Sequence, residues 1–194
     1  MVDIHPTNET LDPQDWAAMR ALGHCMLDDT FTYLEGVREM PVWQPMPASL
    51  KVELHAPLPA DPQSPEEVYE EFLRLVMPYS LGNAHPRFWG WVIGTGTPLG
   101  VLAELLAAGL NPNVWGGNQS PVEVERQVLD WLKEMLGFSH EASGLLVSGG
   151  SMANLIGLAV ARNSRAGYDV RQADLQGAPK ALTIYGSTEV HSSI

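Results

Sequence analysis

The sequence predicts an α/β fold, because a strand, a helix and a second strand follow one another in its last third. Residues 143–148 form a short apolar run that is typical of a buried strand. Residues 151–165 repeat apolar side chains at helical spacing, and ALTIYG at 181–186 predicts a second strand. These elements form one βαβ unit with parallel strands. One such unit leaves two strand edges open, so we expect the 194 residues to be the front part of a larger domain.

A long helix is predicted near the start of the chain, where apolar residues recur at helical spacing from Trp16 to Val37. Asp12 is expected to cap this helix, with Pro13 in its first turn. The proline-rich stretch at 40–62 follows and is expected to be largely extended. A helix isolated in this way buries its apolar stripe either on its own domain or on a second subunit, and the sequence leaves both open.

Two further helices are predicted in the middle of the chain, and a third follows them. Ser64 and Glu67 are spaced as a capping box, with a proline in the first helical position. Residues 98–109 are apolar almost all round, which predicts a buried helix. The stretch 120–123 has the sequence of a second capping box, and the helix that it opens is expected to end at Gly137.

The charge and the cysteine content exclude several classes of partner. The chain has 11 lysine and arginine residues against 23 aspartate and glutamate residues, so its formal net charge is -12. This charge argues against nucleic acid as the main partner. No apolar run approaches the roughly 18 residues of a membrane helix, so no membrane partner is expected. A lone cysteine, Cys25, and a start without signal-peptide features favour a cytoplasmic location.

A glycine-rich corner, SGGS at 148–151, joins the first predicted strand to the helix that follows. A helix N-terminus presents unpaired N–H groups and the positive end of the helix dipole, so phosphate is a natural ligand there. The same residues also suit a plain tight connection, and the spacing alone leaves both open. The sequence contains neither the dinucleotide fingerprint GxGxxG nor the GxxxxGK[ST] loop, which argues against NAD and ATP.

One histidine and an aromatic loop are further candidates for the site. His191 follows the second predicted strand, and ligands of open α/β sheets gather at the carboxyl ends of strands. We therefore expect His191 and the glycine corner to face one site, although a surface histidine is the plainer interpretation of His191 alone. Phe88, Trp89, Trp91 and Trp115 either fill a core or line a cleft. The other histidines have no ligand spacing, so no metal site is expected.

Four stretches of the sequence form an ordered set: HPRFWGWV, NPNVWGGNQSPVEVERQVLDWLKEML, GLLVSGGSMANLIGLAVAR and TEVHSSI. Together they resemble the N-terminal part of the group II pyridoxal-phosphate-dependent decarboxylases, which act on aromatic amino acids, histidine, glutamate or tyrosine. The resemblance covers nearly the whole chain and is strongest over residues 85–194. It implies that 85–194 are the first, incomplete part of a fold-type I PLP-dependent transferase-like large domain. Residues 1–84 then form an N-terminal helical and extended dimerisation segment.

The resemblance also implies roles for individual residues. The family binds the phosphate of pyridoxal 5'-phosphate through backbone N–H and hydroxyl groups that here fall on Gly150 and Ser151. The histidine of the family's HSS motif falls on His191; it stacks on the pyridine ring, can approach the substrate carboxylate and is the implied catalytic residue. The family's substrate-lining loop falls on Trp91 and Val92.

The implied enzyme is a homodimer that binds a small amino-acid substrate. Trp115 falls on a pocket aromatic that the family lends across the dimer interface. The implied reaction is decarboxylation of an L-amino acid, with an aromatic one favoured, to the amine and carbon dioxide. An aldehyde synthase or carbon–carbon lyase of the same fold carries the same motifs and stays open. So do a non-catalytic dimerising paralogue and an unrelated α/β phosphate-binding protein.

The sequence departs from the family pattern at several points. Met152 stands where several relatives have an acidic residue, and the substrate-contacting threonine matches Thr95 only with a shift. The family's cofactor-bearing lysine and pyridinium-binding aspartate follow its HSS motif, whereas Lys51, Lys133 and Lys180 all precede that motif here. We therefore expect residues 1–194 to be a segment of a longer polypeptide and, on their own, to lack decarboxylase activity and to fold incompletely.

Overall fold

A computed structural model describes residues 10–171 and 182–194 and divides the chain into two compact units, of which the first ends at Asn111 and the second begins at Pro112. The first unit contains α1 (Trp16–Gly36), α2 (Ala48–Glu53), α3 (Pro65–Leu75) and α4 (Pro98–Leu110), with short 3-10 turns at Val37–Glu39 and Met77–Tyr79. The second contains α5 (Ser120–Leu136) and α6 (Gly150–Arg165). The domain boundary predicted between residues 84 and 85 stays a prediction.

The first helix begins after Asp15 rather than after Asp12. Asp15 Oδ1 accepts hydrogen bonds from the N–H groups of Ala17 and Ala18 at 2.8 and 3.1 Å. Asp12 instead accepts a hydrogen bond from the hydroxyl group of Thr10 at 3.1 Å. The prediction that Asp12 caps α1 is therefore wrong, because a local turn with Thr10 engages its carboxylate.

Two of the other predicted helix boundaries are confirmed and one is wrong. Ser64 Oγ accepts from the N–H of Glu67 at 3.2 Å, and Glu67 Oε2 accepts from the N–H of Ser64 at 2.9 Å, so the capping box of α3 is present. Gly137, with φ 72°, ends α5. The second capping box is absent, because Ser120 is already helical and Gln119 occupies the cap position. The amide of Gln119 bonds to carbonyl groups of the preceding loop instead.

The two predicted strands are not paired within the described residues. Residues 143–148 and 182–186 are neither helical nor paired as strands, and Ala181 lies outside the described residues. A strand is stabilised by hydrogen bonds to a neighbouring strand. The described part of the chain contains no strand that could pair with either segment. Both segments still lie against helices: a Cβ on Gly144 would come within 3.0 Å of a leucine of α5, and 182–184 line a groove of about 420 Å³ with α6. The helices of the α/β prediction are confirmed and its strand pairing is not.

Side chains from neighbouring helices hold the first unit together. Tyr69 of α3 is buried, and its hydroxyl group donates to Asp29 of α1 at 2.9 Å. Arg74 of α3 forms an ion pair with Glu53 of α2 at 2.7 Å, although both side chains are about half exposed. Because α2 lies in the stretch 40–62, that stretch is less extended than the sequence predicts.

Much of the apolar helix surface is exposed. The sequence predicts that α4 is buried, yet none of its residues is buried and Leu99 is 76% exposed. The helix α1 also has no buried residue. Burial requires a covering element, which the described residues do not supply for these faces, so the prediction for α4 is wrong for this chain alone. Within 10–171 and 182–194, no helix is long and apolar enough to cross a membrane. The cytoplasmic location stays a prediction.

The stability of the chain at alkaline pH is expected to depend on Tyr69. Burial, and then the hydrogen bond to Asp29, raise the pKa of Tyr69 to about 12. Folding therefore favours the neutral phenol. Its contribution to stability is complete below about pH 10, the pKa of an unfolded tyrosine, and is lost as the pH rises through the folded value.

Urea unfolding of the full chain between about pH 8 and about pH 12 measures this contribution. Tyr69→Phe should lower the free energy of unfolding by about 1 kcal/mol at the lower pH and should show a shallower alkaline loss than wild type. Tyr185→Phe, at an exposed position, serves as the control. Parallel alkaline profiles for wild type and Tyr69→Phe would contradict the assignment.

Candidate functional site

The helix α6 begins without a side-chain cap. Its cap residue is Gly149, whose backbone is extended with φ 166° and ψ 170°, and no side chain among residues 10–171 and 182–194 accepts a hydrogen bond from the first turn. The first N–H groups of a helix have no partner within the helix, and they lie at the positive end of its dipole. Gly150 and Ser151, the first two helical residues, are exposed. This corner can therefore bind an anionic group.

The chain itself does not require glycine at positions 149 and 150. A Cβ built on either residue would meet no described atom within 4 Å. Neither residue has a φ in the left-handed region that favours glycine. The lack of side chains instead lets a ligand approach the backbone N–H groups more closely than any other residue type would allow. The two glycines thus fit the binding of an anion better than a steric need of the connection.

His191 is linked to α6 through Ser193. Asn154 Nδ2, on α6, donates to Ser193 Oγ at 2.8 Å, and the same oxygen lies 2.8 Å from His191 Nδ1. The backbone N–H of Ser193 also donates to His191 Nδ1, at 3.1 Å. Because Nδ1 accepts hydrogen bonds, the neutral ring carries its proton on Nε2. The link fixes the ring and leaves the Nε2–H group available to a ligand.

The sequence analysis identified His191 but missed the two residues that hold it. Asn154 lies four residues after Gly150, which places both on one face of α6. Ser193 is the second serine of the stretch HSS. Both residues belong to recognised motifs, so a signal was present in the sequence. Their pairing across 39 residues is visible only in the structure.

Trp91 has an unusual backbone in the aromatic loop of the first unit. Its φ is 51°, in a region that bulky residues rarely adopt and that costs on the order of 1 kcal/mol. The Trp91 residue is 79% exposed, and the centroid of its ring lies 6.4 Å from the ring centroid of Phe88. The neighbouring side chain of Val92 is fully exposed. A strained backbone that presents an exposed ring is common where a loop binds a ligand.

Trp115 lies in the loop before α5, in the second unit. The backbone N–H of Trp115 donates to Asn113 Oδ1 at 2.9 Å, and Gln119 Nε2 donates to the carbonyl group of Gly116 at 2.9 Å. These bonds shape the loop and leave the indole ring almost fully exposed. The predicted site residues are Trp91 and Val92 in the first unit, and Trp115, Gly150, Ser151 and His191 in the second. A pocket shared by both groups stays a prediction.

Among the described residues of the second unit, Lys133 is engaged elsewhere and does not present a free amine to the glycine corner. Lys133 Nζ donates to the carbonyl groups of His140 and Ala142, both at 3.1 Å, and pairs with Asp130 at 2.7 Å. Lys133 therefore joins α5 to the segment that follows it. Lys51 belongs to α2 in the first unit, and Lys180 lies outside the described residues.

Comparison with known proteins gives one family and several similar structures. The family model for the pyridoxal-dependent decarboxylase conserved domain matches residues 47–194. The aromatic-L-amino-acid decarboxylase of Bacillus atrophaeus is 32% identical over 179 residues, which cover 91% of this chain and 35% of that protein.

Two crystal structures are similar to the chain. One is the TDC of Oryza sativa with PLP and tryptamine, which is 26% identical with a TM-score of 0.66 over 83% of this chain and 37% of that one. The other is the 4-hydroxyphenylacetaldehyde synthase of Rhodiola rosea, which is 26% identical with a TM-score of 0.67 over 85% of this chain and 37% of that one. The chain thus spans little more than a third of the length of these relatives.

Loss of the Ser193 hydroxyl group is expected to weaken the orientation of the His191 ring. In wild type, side-chain nitrogen NMR at about pH 8 should show His191 as the Nε2–H tautomer, because Nδ1 accepts two hydrogen bonds. Ser193→Ala loses the hydroxyl group but keeps the backbone N–H that donates to Nδ1, so the population of the Nε2–H tautomer should fall measurably without being lost. Ser192→Ala is the matched control, since the Ser192 hydroxyl makes no hydrogen bond to a described residue. An unchanged tautomer population in Ser193→Ala would show that the Ser193 hydroxyl group does not orient the ring.

Proposed function

The chain belongs to the family of pyridoxal-dependent decarboxylases, and we propose that it supplies the phosphate anchor and the ring-facing histidine of an amino-acid decarboxylase. The full-length subunit would convert an aromatic L-amino acid to the amine and carbon dioxide with pyridoxal 5'-phosphate. The observation that carries this proposal is the hydrogen-bonded link from His191 to α6, whose N-terminus has no side-chain cap.

The glycine corner fits the phosphate group of the cofactor. The backbone N–H groups of Gly150 and Ser151 and the hydroxyl group of Ser151 are donors, and the helix dipole adds a favourable field. The space over Gly149 and Gly150 admits a phosphate close to the backbone. When bound, pyridoxal phosphate withdraws electrons from the substrate α-carbon, so that the carboxylate can leave as carbon dioxide.

His191 faces the ring of the cofactor in this proposal. Its imidazole ring provides a flat surface for stacking, and its Nε2–H group is a donor for the substrate carboxylate. Ser193 and Asn154 orient the ring before the substrate arrives, so less reorganisation is needed during the reaction. Ser193 and Asn154 are positioning residues, because they act through His191.

Trp91, Val92 and Trp115 are proposed to form the apolar part of the substrate pocket. All three side chains are exposed in this chain, so they are available to a ligand or to a second subunit. An apolar wall around the carboxylate excludes water, which favours the loss of charge in the transition state. The aromatic substrate class is supported by these rings and by the names of the relatives.

A homodimer is proposed for the full-length protein, with Trp115 reaching the pocket of the partner subunit. Support comes from the apolar surfaces of α1 and α4, which have no buried residue. Trp16 and Leu99, on these two helices, are both more than half exposed. Large apolar side chains that are left exposed on helices are typical of an interface between subunits.

An aldehyde synthase is the second candidate. The similarity of the chain to the Rhodiola rosea synthase is as close as its similarity to the Oryza sativa TDC. The residues of the glycine corner and His191 would serve either reaction, because both begin with the same cofactor and the same class of substrate. The products distinguish them, since a decarboxylase releases an amine and a synthase releases an aldehyde.

Replacement of Gly150 by alanine tests the phosphate anchor. The added methyl group meets no described atom within 4 Å, so the folded chain should be as stable as wild type or slightly more stable. The same methyl group would hinder close approach of a phosphate to the helix N-terminus, so the cofactor affinity of the full-length protein should fall at least about tenfold. Gly157→Ala, later in α6 and equally open, is the matched control. Equal affinities in both variants would refute the anchor.

Replacement of His191 by alanine tests the reaction. In the full-length enzyme with an aromatic amino acid, turnover should fall at least about a hundredfold, since both ring positioning and a proton donor are lost. His140→Ala, at an exposed position of the same unit, should retain wild-type turnover. Product analysis of the wild type should give carbon dioxide and the amine. An aldehyde as main product would establish the second candidate, and full activity of His191→Ala would refute the role of the histidine.

A further inference from the structure

The aromatic loop, residues 88–94, is closed at both ends by hydrogen bonds within the first unit. At its end, Asn83 Nδ2 donates to the carbonyl group of Gly94 at 2.8 Å. At its start, the N–H of Phe88 donates to the carbonyl group of His85 at 2.9 Å. Because Asn83 and His85 are only two residues apart in the sequence, these two bonds hold the ends of the loop together.

His85 provides a fixed support for the start of the loop, because it is 97% buried by its surroundings, with only 3% of the residue exposed. Its N–H donates to the carbonyl group of Gly82 at 2.9 Å, and its Nδ1 atom accepts from the N–H of Arg87 at 3.0 Å. Gly82 has φ 82°, and a Cβ on it would lie 1.7 Å from the carbonyl oxygen of Val42. The backbone at residue 82 therefore packs directly on another segment, which leaves the support little room to move.

Inside the loop, the ring of Phe88 packs on the backbone of Gly90 and beside the ring of Trp91. A Cβ on Gly90 would lie 3.0 Å from the Phe88 ring, and the ring planes of Phe88 and Trp91 are tilted by 42°. The backbone of Trp91, with φ 51°, has a conformation that persists only where the surrounding contacts enforce it. The bonds at the two ends of the loop are contacts of this kind, and the bond from Asn83 is the one that closes it.

We propose that Asn83 is a positioning residue, whose amide holds the aromatic loop in the form that presents the ring of Trp91 to an aromatic substrate. The substrate part of this proposal rests on the proposed function, in which Trp91 lines the substrate pocket. A loop that is ordered before the substrate arrives loses less conformational freedom on binding. When only a fraction of the molecules has the competent loop, the apparent affinity falls by that fraction. Asn83 therefore acts on substrate affinity through Trp91.

Fluorine NMR of the full-length protein labelled with 5-fluorotryptophan tests the ordering of the loop. Trp91→Phe identifies the Trp91 signal, which in wild type should lie away from that of free 5-fluorotryptophan, because the ring is held beside Phe88. Asn83→Asp removes the donor at nearly unchanged size, and the Trp91 signal should move towards the free position. Gln14→Glu, the same exchange of an amide for a carboxylate at an exposed position of the first unit, should leave the signal in place.

Two results of this measurement would overturn the proposal. One is a Trp91 signal that does not move in Asn83→Asp. The other is a wild-type Trp91 signal that already lies at the position of free 5-fluorotryptophan, a result that needs no folded Asn83 variant.

Steady-state kinetics of the full-length enzyme test the consequence for the substrate, with L-tryptophan or L-tyrosine, whichever the wild type converts faster. Asn83→Asp should raise KM about fivefold, the effect of one neutral hydrogen bond, and should leave kcat within about twofold of wild type. In a Trp91→Ala background the same change should have little further effect on KM, because the ring that Asn83 positions is gone. An equal rise of KM in both backgrounds, or a fall of kcat at unchanged KM, would contradict a positioning role.

The two experiments distinguish a failure of this proposal from a failure of the proposed function. If Trp91→Ala has the KM of wild type, Trp91 does not line the substrate pocket, and both the proposed function at this residue and the substrate part of the present proposal are refuted. The fluorine signal is measured without substrate, so it decides whether Asn83 orders the loop in either case.

Discussion

The hydrogen bond from Asn154 to Ser193 is the interaction on which the candidate site depends. The segment 182–194 has no strand pairing to hold it within the described residues. Among the described residues, His191 itself forms hydrogen bonds only with Ser193 and Ile194, which lie in its own turn. Such local bonds orient the ring relative to the turn, and the bond from α6 positions the turn relative to the glycine corner. This hydrogen bond, together with the packing of 182–184 beside α6, brings the two motifs into one arrangement.

Some features that are decided within one helical turn were predictable from the sequence. The capping box at Ser64 and the end of α5 at Gly137 follow from the chemistry of a few adjacent residues. The predicted start of α1 was wrong because Asp12 and Asp15 can both cap a helix. A hydrogen bond with Thr10 engages Asp12, so Asp15 is the cap. The capping box predicted for the start of α5 was also wrong. Gln119 occupies the cap position there, and its side chain bonds to the preceding loop.

Features that depend on distant residues were only partly predictable. The roles of Gly150 and His191 could be proposed from motifs, because a short stretch of sequence carries each of them. The partner of Ser193 could not be predicted, since periodicity carries no information about pairing across the fold. The predicted burial of α4 and the predicted strands failed because hydrophobic pattern reports a tendency to be covered or paired, and the described residues do not provide the cover or the pairing.

The close passage of the backbone at Gly82 over Val42 has an evolutionary consequence. With 1.7 Å between a would-be Cβ and the carbonyl oxygen of Val42, every other amino acid at position 82 would force the two segments apart. Its left-handed φ of 82° adds a second, independent reason for glycine. Met40 and Met77 line a cavity of about 220 Å³ beside this passage and are under no such restriction, because methionine tolerates exchange for other apolar side chains. Among descendants of this chain, the frame of the cavity should therefore persist while its interior surface diversifies.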